Sequence, residues 1–168
     1  WIERFTDWLT VSGFIPAPVV NPAPVASNST TGMDLYLKKE YKYADDKILP
    51  YRILYPEGYD KSKKYPLILL LHGGGERGND NEKQLAHGAK LFLNKNMRIK
   101  YPAIVVAPQC PADKYWATST IDRNTIPFKI DFDYAKEPNW NLRAANELIK
   151  KIAREESVDV NRIYITGL

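Results

Sequence analysis

Leu67-Ile68-Leu69-Leu70-Leu71-His72-Gly73-Gly74-Gly75-Glu76-Arg77-Gly78 runs five consecutive large aliphatics into a histidine and a glycine turn. Bounded by Pro66 and Gly73, the aliphatic run is too short for a lone helix. It reads as a strand buried on both faces, hence a central strand of a parallel sheet. Three adjacent glycines at its carboxyl end leave backbone N–H groups bare, and in open α/β sheets ligands bind outside the carboxyl ends of the strands.

Outward from this stretch the chain alternates strand and helix signals. Upstream, Leu35, Leu37, Lys39, Tyr41 and Tyr43 share one face of an alternating strand, Asp45-Asp46 turns, and Ile48 to Tyr55 returns, giving an antiparallel edge hairpin. Downstream, Asn79-Asp80-Asn81 turns and caps a short amphipathic helix carrying Gln84, Leu85, Gly88, Leu91 and Phe92. Ala103 to Ala107, closed by Pro108, is a second buried parallel strand. Residues 109–138 show no period, and an irregular stretch of that length inside a compact domain is usually functional. Asn141 caps the clearest helix, whose apolar face is Leu142, Ala145, Leu148, Ile149, Ile152 and Ala153, with Glu147 and Lys151 paired on its outer side. Arg162 to Thr166 is a third short buried strand, ending in Gly167-Leu168. Strand, helix, strand, helix, strand after a hairpin predicts an α/β fold: a mostly parallel sheet with helices on both faces and an amino-terminal antiparallel edge hairpin.

Composition sets the frame. The 168 residues suffice for one medium domain, with 44% hydrophobic and 26% charged residues and a net charge of +4. The excess lysines are scattered, and clusters such as Lys61-Ser62-Lys63-Lys64 read as solvated loop, which argues against a nucleic-acid partner. No apolar run approaches membrane-spanning length, so no membrane partner is expected. Cys110 is the only cysteine, which excludes an intrachain disulfide and a cysteine metal cluster within these residues. Residues 1–32 carry Pro16, Pro18, Pro22 and Pro24 behind a short turn of helix with Ile2, Phe5 and Leu9 on one side, and read as a linker or surface arm. The start at Trp1 without Met hints at a processed product, and with it a secreted or periplasmic location.

Two of the buried strands end in glycine, at His72-Gly73 and Thr166-Gly167. In the nucleophile elbow Gly-x-Ser-x-Gly, a strand turns sharply into a helix and needs small flanking residues so that the serine Oγ stands clear. Gly167-Leu168 supplies the first Gly and the x, and a serine is expected immediately after Leu168. Leu71 to Asn81, Val106-Ala107-Pro108-Gln109-Cys110-Pro111 with Trp116, and Val158 to Leu168 together resemble an α/β-hydrolase serine esterase of the feruloyl esterase and polyhydroxybutyrate depolymerase-like group. The resemblance covers roughly residues 35 to 168. It implies that residues 33–168 are the amino-terminal part of a catalytic domain, truncated at the nucleophile elbow, with the triad Asp and His further on. The remainder of that domain would then be a partner of these residues.

The resemblance also implies roles. The amide of Gly74 is the first choice for one half of an oxyanion hole, with Gly73 and Gly75 as neighbours, and the residue after the serine gives the other donor. Such preorganised amides are worth about 2.7–4 kcal/mol each. His72 is scaffold, pinning the turn by side-chain hydrogen bonds, and His87 is a surface or packing residue. Glu76, Arg77 and Asp80 read as fixing the loop by a salt bridge, with contact to substrate as the alternative. Trp116 and Gln109 are candidate walls of an acyl pocket, with core packing and loop hydrogen bonding as the alternatives. Cys110 reads as a small buried residue. A phosphate loop is excluded because no Gly-Lys-Ser/Thr follows the glycines. A glycosidase pair among Asp131, Asp133 and Glu137 cannot be picked out by spacing, and the stretch lacks the calcium-loop pattern. The expected activity is hydrolysis of acyl or feruloyl esters of polysaccharide, or another small-molecule ester, by an acyl-enzyme route without metal or organic cofactor. The rivals are a serine peptidase or amidase on the same fold and a non-catalytic binding module.

Overall fold

The computed structural model describes residues 32–122 and 124–167. The Pro-rich arm, its helical turn and Leu168 lie outside the described residues. Strands β1 (Leu37–Ala44) and β2 (Lys47–Leu54) form the hairpin, followed by β3 (Tyr65–Leu71) and β4 (Ile104–Pro108). A separate small ribbon follows, β5 (Ser119–Asp122) and β6 (Lys129–Phe132), and β7 (Val158–Gly167) completes the main sheet. The α-helices are α1 (Lys95–Lys100) and α2 (Trp140–Glu155).

The main sheet has the order β1-β2-β4-β3-β7. β1 and β2 pair antiparallel, as do β2 and β4, whereas β4, β3 and β7 run parallel. The strand read first from the sequence, β3, is therefore central, held by β4 on one side and β7 on the other. Alternation sorts the side chains into two cores. Leu49, Tyr51, Ile53, Leu67, Leu69, Ile104 and Val106 pack beneath Ala144, Ala145, Leu148 and Ile152 of α2. On the opposite face Leu54, Leu70, Val105 and Ala107 meet Tyr36, Leu85 and Ala89.

Four expectations need correction. The amphipathic helix around Gln84–Phe92 is instead two 3-10 turns, Lys83–Leu85 and Ala89–Leu93, because Gly88 takes φ +77 between them and a left-handed residue cannot carry an α-helix through. Helix α2 starts one residue before the expected cap: Asn139 is the cap residue, its carbonyl accepting from the amides of Leu142 and Arg143 at 3.1 Å each. On the outer face Glu147 pairs with Lys150 at 2.9 Å, and Lys151 with Glu155. Strand β7 is long and largely exposed among the described residues, with Ile165 71% and Val160 64% accessible, because it forms the outer strand of the described sheet.

Within the aperiodic stretch, β5 and β6 form a ribbon whose two faces differ. Ser119 opposite Phe132 and Ile121 opposite Ile130 share one face; Thr120 opposite Asp131 and Asp122 opposite Lys129 share the other. Four-residue strands, three of four positions polar in β5 and two of four in β6, give too short an alternation to stand out in the sequence.

Candidate functional site

The turn that follows β3 is built from hydrogen bonds to its carbonyls. Gly73 O accepts from Glu76 N at 3.4 Å, closing a β-turn with Gly74 and Gly75 at its centre. Neither central glycine has a left-handed φ, so the backbone does not demand glycine there. A Cβ on Gly75 would meet nothing within 4 Å, and one on Gly74 would make only ordinary contact with Tyr115. What the glycines preserve is open space above the turn. Among the described residues nothing accepts from the amides of Gly74 and Gly75, and both residues are exposed.

His72 lies beneath this turn, 4% exposed. Its Nε2 accepts from the amide of Cys110 at 2.9 Å, which places the proton on Nδ1, and Nδ1 then donates to Gly73 O at 2.7 Å. The Trp116 indole N–H donates to His72 O at 3.1 Å. With both ring nitrogens engaged, His72 has no free position for proton transfer. Burial holds its pKa below the ordinary histidine value, opposed by the Gly73 bond. The folded state thus binds fewer protons than the unfolded state once the pH falls below about 6.5, so stability should decline from pH 7 toward pH 5. The slope from this one group can reach about 1.4 kcal/mol per pH unit. Thermal unfolding across that range should show a shallower decline in His72→Gln than in the parent, and equal slopes would dissociate His72 from the effect.

The loop beyond the turn is locked from below by Gln109, which is fully buried. Its Nε2 donates to Glu76 O at 3.1 Å and to Asp80 Oδ1 at 2.9 Å, and its Oε1 accepts from Asn81 N at 2.7 Å. This corrects its reading as a pocket wall: a side chain without accessible surface, with its amide spent on the loop, has nothing left for substrate. Asp80 Oδ1 also accepts from the amides of Glu82 and Lys83, which pull its pKa well below the usual carboxylate range. Asn81, at φ 54, ties the loop to the edge hairpin: its Nδ2 donates to Lys39 O and Tyr51 O, and its own carbonyl accepts from Arg52 Nε at 2.6 Å.

No salt bridge joins Glu76, Arg77 and Asp80 among the described residues. Glu76 faces His87 at 3.4 Å and Asp80 faces Lys83 at 3.4 Å. Arg77 reaches backbone instead, Nε donating to Gly74 O at 2.7 Å and NH1 to Lys114 O at 3.2 Å, with its guanidinium 4.0 Å over the Tyr115 ring. Tyr115 and the half-buried Trp116 therefore flank the glycine turn. Asn141 Nδ2, at the start of α2, donates to Tyr115 O at 3.0 Å and to Cys110 Sγ at 3.3 Å. Cys110 is fully buried and its thiol is pushed up to about 12, which removes it as a nucleophile. The sequence gives no signal for Tyr115, and for Asn81 and Asn141 only that of a turn and a cap residue.

The second glycine strand end lies alongside. Leu71 pairs with Gly167 in parallel register. A Cβ on Gly167 would fall 2.3 Å from Leu71 O and 3.3 Å from Leu71 Cβ, so only glycine fits. The turn after β3 and the chain leaving β7 thus emerge side by side. The order β1-β2-β4-β3-β7, with one antiparallel hairpin at the edge and a glycine turn beside a glycine-ended strand, decides the fold. The chain has the α/β-hydrolase fold.

The chain is similar to solved esterases and, in sequence, to curated peptidases. A thermostable esterase superposes with TM-score 0.67 at 34% identity, over 81% of this chain and 35% of that one. A ferulic acid esterase of Anaeromyces mucronatus superposes with TM-score 0.48 at 21% identity, over 79% of this chain and 48% of that one. In sequence, a probable dipeptidyl-peptidase 5 of Aspergillus terreus is 38% identical over 113 residues, 67% of this chain but 13% of the relative. Dipeptidyl-peptidase 5 of Aspergillus fumigatus is 31% identical over 98 residues, 58% of this chain and 11% of the relative. The chain thus spans only a small part of the curated relatives it matches. No protein-family model matches it. Among the described residues no helix is long and apolar enough to cross a membrane, and no group of three or more His, Cys, Asp or Glu is placed to hold a metal ion.

Proposed function

We propose that this chain is the amino-terminal part of the catalytic domain of a serine carboxylic-ester hydrolase, acting on acyl or feruloyl esters of polysaccharide. The observation that carries the reading is the pairing of Leu71 with Gly167. It supports a nucleophile elbow after β7 working beside the turn that carries the unengaged amides of Gly74 and Gly75. In that arrangement a serine after Leu168 attacks the ester carbonyl and the glycine amides receive the charge that develops on its oxygen. A downstream histidine takes the serine proton and a downstream Asp orients that histidine. His72 serves the turn as scaffold. Tyr115 and Trp116, flanking the turn, supply the aromatic wall that supports an aryl acyl group.

The likeness to dipeptidyl-peptidase 5 favours a second reading, a peptidase on the same fold. The two separate by assaying the full-length protein on a p-nitrophenyl ester, a feruloylated oligosaccharide and a dipeptidyl p-nitroanilide. The ester and the feruloyl substrate should be cleaved and the anilide left intact; preferential anilide cleavage would replace the esterase with the peptidase. No turnover together with no fluorophosphonate labelling would leave a binding module. In the active protein, Gly75→Ala should keep its melting temperature, since its Cβ meets open space and no left-handed φ is required. It should still lose about 10²-fold in kcat/KM as the space above the donors is filled.

A further inference from the structure

We propose that Arg77 is a positioning residue that aims the Gly75 amide at the reacting oxygen; this rests on the esterase reading of the turn. In a trans peptide the C=O and the following N–H point to opposite sides, so whatever holds the Gly74 carbonyl fixes the direction of the Gly75 amide. Arg77 Nε holds that carbonyl at 2.7 Å. One peptide earlier, His72 Nδ1 holds Gly73 O at 2.7 Å, which fixes the Gly74 amide in the same way. Two successive carbonyls are thus drawn toward side chains of the fold, and two successive amides are left facing away from those anchors.

The Arg77 anchor is itself fastened. Its guanidinium lies over Tyr115 at 4.0 Å and its NH1 donates to Lys114 O. That segment is held by the start of α2, through Asn141 Nδ2 to Tyr115 O at 3.0 Å and Asn139 Nδ2 to the same carbonyl at 3.3 Å. A continuous path therefore runs from α2 through the 114–115 backbone and Arg77 to the Gly74–Gly75 peptide. Arginine suits this place because its planar fork bonds two carbonyls on different segments while its face stacks on an aromatic ring. A lysine ammonium would keep the charge but lose the fork and the stacking.

The test uses the full-length protein with Arg77→Ala and Arg77→Lys, assayed on p-nitrophenyl acetate with and without millimolar guanidinium chloride. Both variants should lose about 10²-fold in kcat, the scale of a displaced catalytic group, with KM within twofold. Added guanidinium should restore part of the Arg77→Ala activity and none of the Arg77→Lys activity, whose ammonium occupies the site. Unchanged kcat in Arg77→Ala would overturn the proposal. So would a loss in which kcat, KM and melting temperature fall together without rescue, or failure of both variants to fold, because Arg77 would then be a folding residue only. A parent protein without esterase activity would sink the proposed function and this inference with it. An active parent with indifferent Arg77 variants would sink this inference alone.

Discussion

Gly167→Ala is expected to destabilise the domain by about 3 kcal/mol, the upper part of the usual range for forcing extra atoms against fixed neighbours. The added Cβ would fall 2.3 Å from Leu71 O, a backbone atom that cannot rotate aside. Relief requires β3 and β7 to part at their carboxyl ends, where Leu71 pairs with Gly167. The midpoint of urea unfolding reads this directly, and an unchanged midpoint would mean that the strand ends are not apposed as described. Activity should fall further than stability accounts for, since separating the two strand ends also moves the glycine turn away from the elbow. For stability, Gly75→Ala is the matching control, with the same methyl group on the same end of the sheet but into open space.

Gln109→Glu should be comparably severe, and pH-dependent. It replaces a donor that serves Glu76 O and Asp80 Oδ1 with a carboxylate, and sets that carboxylate about 3 Å from the Asp80 carboxylate, in a position that is fully buried. An uncompensated buried charge of this kind costs about 3–5 kcal/mol at neutral pH. Burial and the like charge both raise the folded-state pKa of the introduced carboxyl above its unfolded value near 4.3. The penalty is therefore fully present at neutral pH and shrinks as the pH falls through that raised pKa, because the protonated acid can again donate. Chemical denaturation at pH 7 and pH 5 should show the variant closing part of its gap to the parent at the lower pH. The parent moves the other way over the same window, because buried His72 resists the proton that the unfolded chain takes up. A gap that does not narrow would place Gln109 away from Asp80.

Much of this architecture was legible in the sequence because burial writes short-range patterns. The aliphatic run Leu67–Leu71 declared a strand covered on both faces, and the alternation after Leu37 declared the hairpin. The 3.6-residue spacing from Ala145 to Ile152 declared α2. The resemblance of the three motif blocks to α/β-hydrolases carried the order of the remaining parts. What stayed hidden depended on contacts distant in sequence. Gln109 looked available for substrate until Glu76, Asp80 and Asn81 were found folded onto it. Arg77 looked like half of a salt bridge, whereas its partners are the carbonyls of Gly74 and Lys114, which carry no side-chain signature. The helix around Gly88 failed for a local reason, a left-handed φ, that spacing alone does not register.

The ribbon of β5 and β6 springs from a closed neck. Asn139 Nδ2 reaches Tyr115 O and Ala117 O, Thr118 Oγ1 donates to Glu137 O, and Asp133 N donates to Thr118 O. The two ends of the excursion are thus stapled to each other and to the start of α2 before the ribbon begins. Chain inserted beyond a closed neck costs only loop entropy, about 0.6 kcal/mol for each doubling of length. The ribbon is therefore a detachable module in evolutionary terms. It can lengthen, shrink or change its apolar face of Ile121, Ile130 and Phe132 without passing strain to Tyr115, Arg77 or the glycine turn. Diversification of this protein can proceed at that appendage while the parts beneath it stand still.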